Sequence, residues 1–178
     1  MKRKRILAEG KFIRFVKEGT YEYTERSNCR GTVVVVALTD EKKVLFTEQY
    51  RLPVRKNVIE YPAGLMDGQA FQNKESASCA ARRELLEETG YRAQKVIKLI
   101  EGPVSSGMTA DRVTLFRASG LKKVAKGGGD ETEKITVHEI PLKKADQWLS
   151  GMRKKGYLIE PKIYAGLYFL RQKKGKRK

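Results

Sequence analysis

A chain of 178 residues, 40% of them hydrophobic and 33% charged, is long enough for one domain with a real core, which excludes collagen-like and disordered classes. No apolar run approaches the about 18 to 20 residues that span a bilayer, and the basic start MKRKRILAEG lacks the apolar stretch of a secretory signal; a cytoplasmic location and no membrane partner are expected. The net charge of +17 invites nucleic acid, but four of residues 1–5 and six of residues 171–178 are basic, so the excess concentrates in ends that read as solvated tails and leave nucleic acid only a secondary reading.

In chain order, residues 6–30 alternate apolar and polar positions around Gly10 and Gly19, as antiparallel strands joined by turns do. GTVVVVALTDEKKVLFTEQYR, residues 31–51, reads as a hairpin with the turn TDEKK, and as the centre of the sheet. EYPAGLMDGQ, residues 60–69, is a strand end entering a loop. SASCAARRELLEET, residues 76–89, is built of helix formers and stops at Gly90. Two short strands, 95–100 and 112–118, flank the loop EGPVSSGMTAD, and a Lys- and Gly-rich loop over 121–131 leads to the alternating strand KITVHEI, 134–140. A short helix near 143–153 and a longer one over about 161–173 close the chain. This order argues for an α+β domain with a mixed sheet between helices. Cys29 and Cys79 lack a metal or disulfide pattern and read as reduced thiols, and His138, in an alternating strand, reads as structural.

The chemistry concentrates in RRELLEETGY, residues 82–91. On a helix Glu84, Glu87 and Glu88 share a face, and Glu87 and Glu88 lie at the C-terminal end, where the macrodipole disfavours anions. A hard divalent cation relieves that repulsion, since Mg²⁺ takes oxygen ligands and is held by a few carboxylates together with substrate phosphates.

Glu75, seven residues, then Arg83-Glu84-Leu85-x-Glu87-Glu88-x-Gly90-Tyr91 resembles the Nudix box. That resemblance implies an α/β/α sandwich with a mixed sheet and Mg²⁺-dependent hydrolysis, with Mn²⁺ as an alternative, of a nucleoside diphosphate linked to another group. The box's leading glycine is replaced by Gln69, and the loop's glycine is Gly64, which implies an insertion of about five residues, near 70–74. Such an insert bulges into solvent or alters the wall of the site.

More of the chain is similar to one branch, the ADP-ribose pyrophosphatases and related nucleoside diphosphate sugar hydrolases: Glu48-Gln49-Tyr50-Arg51-Leu52-Pro53, Glu60-Tyr61-Pro62-Ala63-Gly64-Leu65, GPVSSGMTAD and GDETEKITVHEIPL. The resemblance implies one domain over 1–178: N-terminal strands over about 1–30 for dimerisation and base binding, a catalytic core over 31–170 and a basic tail over 171–178. Carried over residue by residue, it implies metal ligation by Glu84, Glu88 and the carbonyl of Ala63, with Glu87 joining when further ions bind, and support from Glu75, Arg83 and Gly90. It places the general base in the acidic loop, at Glu133 first and Glu131 next, with Glu87 as the helix alternative. Glycines 127–129 would let that loop close on substrate. Arg51 suits a phosphate clamp or, alternatively, a salt bridge to a nearby acid. Phe12 and Tyr21 match the aromatics that sandwich adenine, often across a homodimer, with Glu22 and Arg26 as polar contacts, and Asp111 stands where a loop glutamate is common. RNA 5′ ends or dinucleoside polyphosphates remain the alternative substrates.

Overall fold

The computed structural model describes residues 3–27, 29–66, 75–129 and 134–172. The alternating N-terminal stretch forms three strands, β1 (Lys4–Glu9), β2 (Ile13–Glu18) and β3 (Tyr21–Arg26), in an antiparallel sheet with β2 central. Among its residues only Val16 is buried, so this sheet adds little to the core. It is tied to the rest through the loop ahead of Arg112: the Thr24 amide donates to the Met108 carbonyl and the Ala110 amide to the Thr24 carbonyl, each at 2.9 Å.

The remaining elements are β4 (Thr32–Ala37), β5 (Lys43–Arg51), β6 (Lys56–Glu60), β7 (Ala63–Leu65), α1 (Ala77–Thr89), β8 (Tyr91–Pro103), β9 (Arg112–Lys123), β10 (Thr136–Pro141), α2 (Ala145–Lys154), β11 (Leu158–Ile159) and α3 (Lys162–Arg171). The two apolar runs expected to form one hairpin do not pair along their length. β4 belongs to a sheet ordered β7-β4-β9-β8, and β5 to one ordered β10-β5-β6-β11. Across the turn they are joined by the Leu38–Val44 bridge, by the Thr39 amide donating to the Lys43 carbonyl at 2.9 Å and by the Lys43 amide donating to the Thr39 hydroxyl at 3.2 Å. The physical reason lies in the β-branched run itself. Val33 and Val35 face one side and Val34 and Val36 the other, all fully buried, so β4 needs cover on both faces and a parallel neighbour, β9, at the sheet centre.

Val33, Val35 and Leu45 pack with Ala80, Ala81 and Leu85 of α1. Val34, Val36, Phe46 and Ile59 pack with Leu149 of α2 and with Ile163 and Leu167 of α3. Sheet between helices is the α/β/α arrangement expected. Tyr61 seals the second layer, its hydroxyl donating to the Ile163 carbonyl at 3.1 Å and its ring lying where any side chain on Gly166 would stand.

Sequence reading undersized several strands. β8 and β9 extend well past 95–100 and 112–118, and β9 takes in the start of the stretch expected to be loop from 121, because their mutual ladder runs from Tyr91–Lys123 to Pro103–Arg112. β6 ends at Glu60, where a strand end was expected, and β11 is a strand that the sequence reading did not foresee. His138 lies 2.9 Å from Glu48 through Nε2 and packs beside Trp148, a structural setting. No helix is long and apolar enough to cross a membrane among the described residues.

Candidate active site

Helix α1 starts where the Ser76 hydroxyl accepts from the Cys79 amide at 3.2 Å, and it ends where Gly90, at φ 74°, donates to the Leu86 carbonyl at 2.8 Å. Its last carbonyls are covered by another segment: the Gly128 amide donates to the Glu88 carbonyl at 2.8 Å and that of Gly129 to the Glu87 carbonyl at 3.2 Å. Gly127, at φ 74°, packs on the Thr89 and Gly90 backbone so closely that a Cβ there would overlap it. The glycine run expected to act as a hinge is thus packed onto the end of the acidic helix. Glu131 and Glu133, which follow it, lie outside the described residues, as does the insertion near 70–74.

The buried alanines and Leu85 turn one face of α1 into the core and leave the acids on the face toward β7. Arg83 organises them. Its Nη1 donates to Glu84 at 2.7 Å and to Glu87 at 3.0 Å, its Nε and Nη2 both reach Glu75 at 3.3 Å, and Nη2 also donates to the Leu65 carbonyl at 3.1 Å. Burial works against the Arg83 charge, but the bonds to Glu75 and Glu84 outweigh it and hold the guanidinium above its already high ordinary pKa. Glu88 is buried, and its Oε1 lies 3.4 Å from the Ala63 amide. Glu84 presses on Gly64 so closely that a Cβ at residue 64 would collide with its carboxylate.

Two carboxylates, Glu84 and Glu88, and the Ala63–Gly64 backbone are therefore brought together, while Glu87 stands at the more exposed rim beside Arg83. The two carboxylates supply oxygen ligands of the kind a hard divalent cation takes, and the cradle at Gly64 has room for no side chain. Among the described residues, no three acidic, histidine or cysteine side chains are grouped tightly enough to hold a metal by themselves.

The other expected residues fall into separate places. Arg51 ends β5 with Nε and Nη2 at 2.9 and 2.7 Å from Glu60, so the salt bridge weighed for it is formed. Arg26 pairs with Asp111 at 3.1 Å, and Glu22 with Lys17 at 2.8 Å. Phe12 and Tyr21 flank opposite ends of β2, about 20 Å apart at the rise of a strand, and do not enclose one ring within a single chain. Tyr21 instead lines a cleft of ≈ 560 Å³ with Glu18, Tyr23, Ser106, Gly107 and Thr109. Sequence reasoning missed Glu60 as the partner of Arg51 and the Leu65 carbonyl as a partner of Arg83. The glycine of EYPAGL was the available signal for the approach to Glu84.

The fold and the acid-lined helix define a class, and comparison agrees: residues 30–156 match the NUDIX domain, and the chain belongs to the Nudix family, whose members generally use a divalent metal ion. It is 36% identical over 124 residues to the methanol dehydrogenase activator of Bacillus methanolicus, covering 69% of this chain and 64% of that one. It is 36% identical over 116 residues to the ADP-ribose pyrophosphatase of Bacillus subtilis (strain 168), covering 65% and 60%. The chain thus spans less than two thirds of the length of either relative. The GDP-mannose pyrophosphatase of Yersinia pestis (strain Pestoides F) is 32% identical over 157 residues, 83% of this chain and 75% of that one. In fold, the crystal structure of an ADP compounds hydrolase superposes with a TM-score of 0.70 at 18% identity, covering 95% of this chain and 90% of that one.

Proposed function

We propose that the protein hydrolyses the diphosphate linkage of ADP-ribose or a related nucleoside diphosphate sugar in the presence of Mg²⁺ or Mn²⁺, releasing a nucleoside monophosphate and a sugar phosphate. The observation that carries this reading is the packing of the Glu84 and Glu88 carboxylates against the backbone of Ala63 and Gly64, beside the rest of the α1 acid cluster. The names of two relatives, a pyrophosphatase of ADP-ribose and one of GDP-mannose, support the substrate class.

Glu84, Glu88 and the Ala63 carbonyl, with Glu87 at the rim, would hold a divalent ion, which would supply neutralisation of the diphosphate charge and activation of the attacking water. The chain's own residues do the rest. Arg83 fixes the direction of Glu84 and Glu87 through its fork of donors. Arg51, oriented by Glu60, offers its guanidinium to a phosphate oxygen. A carboxylate of the loop after Gly129, Glu133 or Glu131, takes the proton of the attacking water, with Glu87 as the helix alternative. Tyr21 in its cleft supplies a stacking face for the base, and a homodimer would bring Phe12 of a second copy into play.

The test is phosphate release, with added phosphatase and Mg²⁺, from ADP-ribose, ADP-glucose, GDP-mannose, UDP-glucose, a dinucleoside polyphosphate and 5′-triphosphorylated RNA. Turnover confined to the diphosphate sugars supports the reading and ranks sugar and base. Turnover only of the RNA or the polyphosphate rejects it.

A further inference from the structure

Away from the acidic helix, Glu160 is a largely buried carboxylate that the proposed chemistry leaves unused. It directly follows β11, which runs parallel to β6 with Ile159 opposite Ile59, and its amide donates to the Ile59 carbonyl at 3.0 Å. Glu160 therefore stands at the step where β6 carries Glu60, and two carboxylates end neighbouring parallel strands. Each has a cation. Glu60 receives Nε and Nη2 of Arg51 at 2.9 and 2.7 Å, and Glu160 is paired with Nζ of Lys162 in the first turn of α3. Burial pushes the Glu160 carboxyl above the ordinary carboxylate range; Lys162 opposes the rise, Glu60 adds to it and Arg51 opposes it, so the four groups share one electrostatic neighbourhood. Glu160 and Lys162 both lie beyond residue 156, where the match to the family domain ends.

Arg51 thus has two carboxylates within reach of its field. A guanidinium pulled between two acids stays protonated, but the net charge of its surroundings turns negative and it loses the single orientation that its planar fork requires for bidentate contact with phosphate. We propose that Glu60 and Lys162 are positioning residues for Arg51: Lys162 retains Glu160, so that Glu160 does not compete with Glu60 for the guanidinium, and Glu60 sets the direction in which Arg51 meets the diphosphate. This rests on the reading of Arg51 as a phosphate contact. It assigns to the start of α3 a part in substrate binding.

The test compares KM and kcat for ADP-ribose with Mg²⁺, and the metal-free calorimetric Kd for the same compound, in Arg51→Ala, Lys162→Met, Glu160→Gln and the double variant Lys162→Met/Glu160→Gln. Arg51→Ala and Lys162→Met each weaken binding, the latter on the order of 10-fold with kcat little changed, the loss expected when one charge-assisted hydrogen bond is misdirected. The double variant regains wild-type affinity, a repair that a packing defect at residue 162 would not show. A defect that persists in the double variant, or no defect in Lys162→Met when Arg51→Ala has one, overturns the inference and leaves the reading of Arg51 standing. No effect of Arg51→Ala overturns both. Should Lys162→Met fail to fold, Glu160→Gln and Glu60→Gln decide: unweakened binding in the first with a defect in the second supports the inference, and any other pattern overturns it.

Discussion

Gly64 and Glu84, twenty residues apart in the chain, are in such close contact that the carboxylate of one fills the place where the other would carry a side chain. Gly64→Ala therefore displaces the Glu84 carboxylate by roughly an ångström. Activity on ADP-ribose should fall about 100-fold, the scale of loss from such a misplacement, with the melting temperature much less affected. Steady-state kinetics beside thermal melting checks it, and an active Gly64→Ala variant would remove the observation on which the metal recess rests.

Glu88 is a buried carboxylate, and burying a charge is costly unless a partner compensates it. Glu88→Gln should lose at least about 100-fold in turnover with Mg²⁺ while the metal-free protein melts no lower than wild type. Titration of Mn²⁺ followed by electron paramagnetic resonance would show weaker binding in the variant. Equal Mn²⁺ affinity and equal turnover would place the metal elsewhere.

Gly127 combines a positive φ of 74° with contact on the Thr89 and Gly90 backbone. Gly127→Ala meets both strain and overlap, and it should cost about 1 to 3 kcal/mol in urea unfolding. Because the same segment supplies the amides that cover the Glu87 and Glu88 carbonyls, turnover should fall beyond what the fraction folded explains. A variant as stable as wild type would show that the glycine run is not anchored on α1.

Tyr91 donates its hydroxyl to Glu139 at 2.6 Å, and burial first, then this bond, push its pKa up to about 12. The folded state holds the proton more tightly than the unfolded chain. Tyr91 therefore contributes stability that is fully present below about pH 10, the ordinary tyrosine value, and is lost as pH rises through about 12. Tyr91→Phe should lower stability at neutral pH by about 1 to 2 kcal/mol and show a shallower decline than wild type over that alkaline window. Parallel curves for the two proteins would mean that the bond adds nothing.

The acidic helix was legible because everything that defines it is local. The spacing of Glu84, Glu87 and Glu88 and the Gly90 stop lie within one short segment, and helix periodicity alone puts the carboxylates on one face. The same holds for the N-terminal alternation, which became β1 to β3, and for the two closing helices. The resemblance of the box to the Nudix family rested on that same short segment, and the family match agrees with it.

What lay beyond reach was pairing between distant segments. The Val-rich run and the run after TDEKK looked like two halves of a hairpin, and only burial on both faces sent β4 to β9 and β5 to β10 and β6. Arg51 showed a phosphate-binding side chain and a salt-bridge alternative in sequence. Tertiary structure gave it Glu60 on the adjacent strand and brought Glu160 alongside from a hundred residues further on. Phe12 and Tyr21 both read as aromatics for the base in sequence, and the fold sets them at opposite ends of β2 within one chain. Sequence by itself determined the acid cluster, its helix and the family, because neighbours along a helix interact whatever else the chain does. Only the tertiary structure decided which backbone the acids press against and which carboxylate holds each cation, because those contacts form when the sheets and helices bury their apolar faces together.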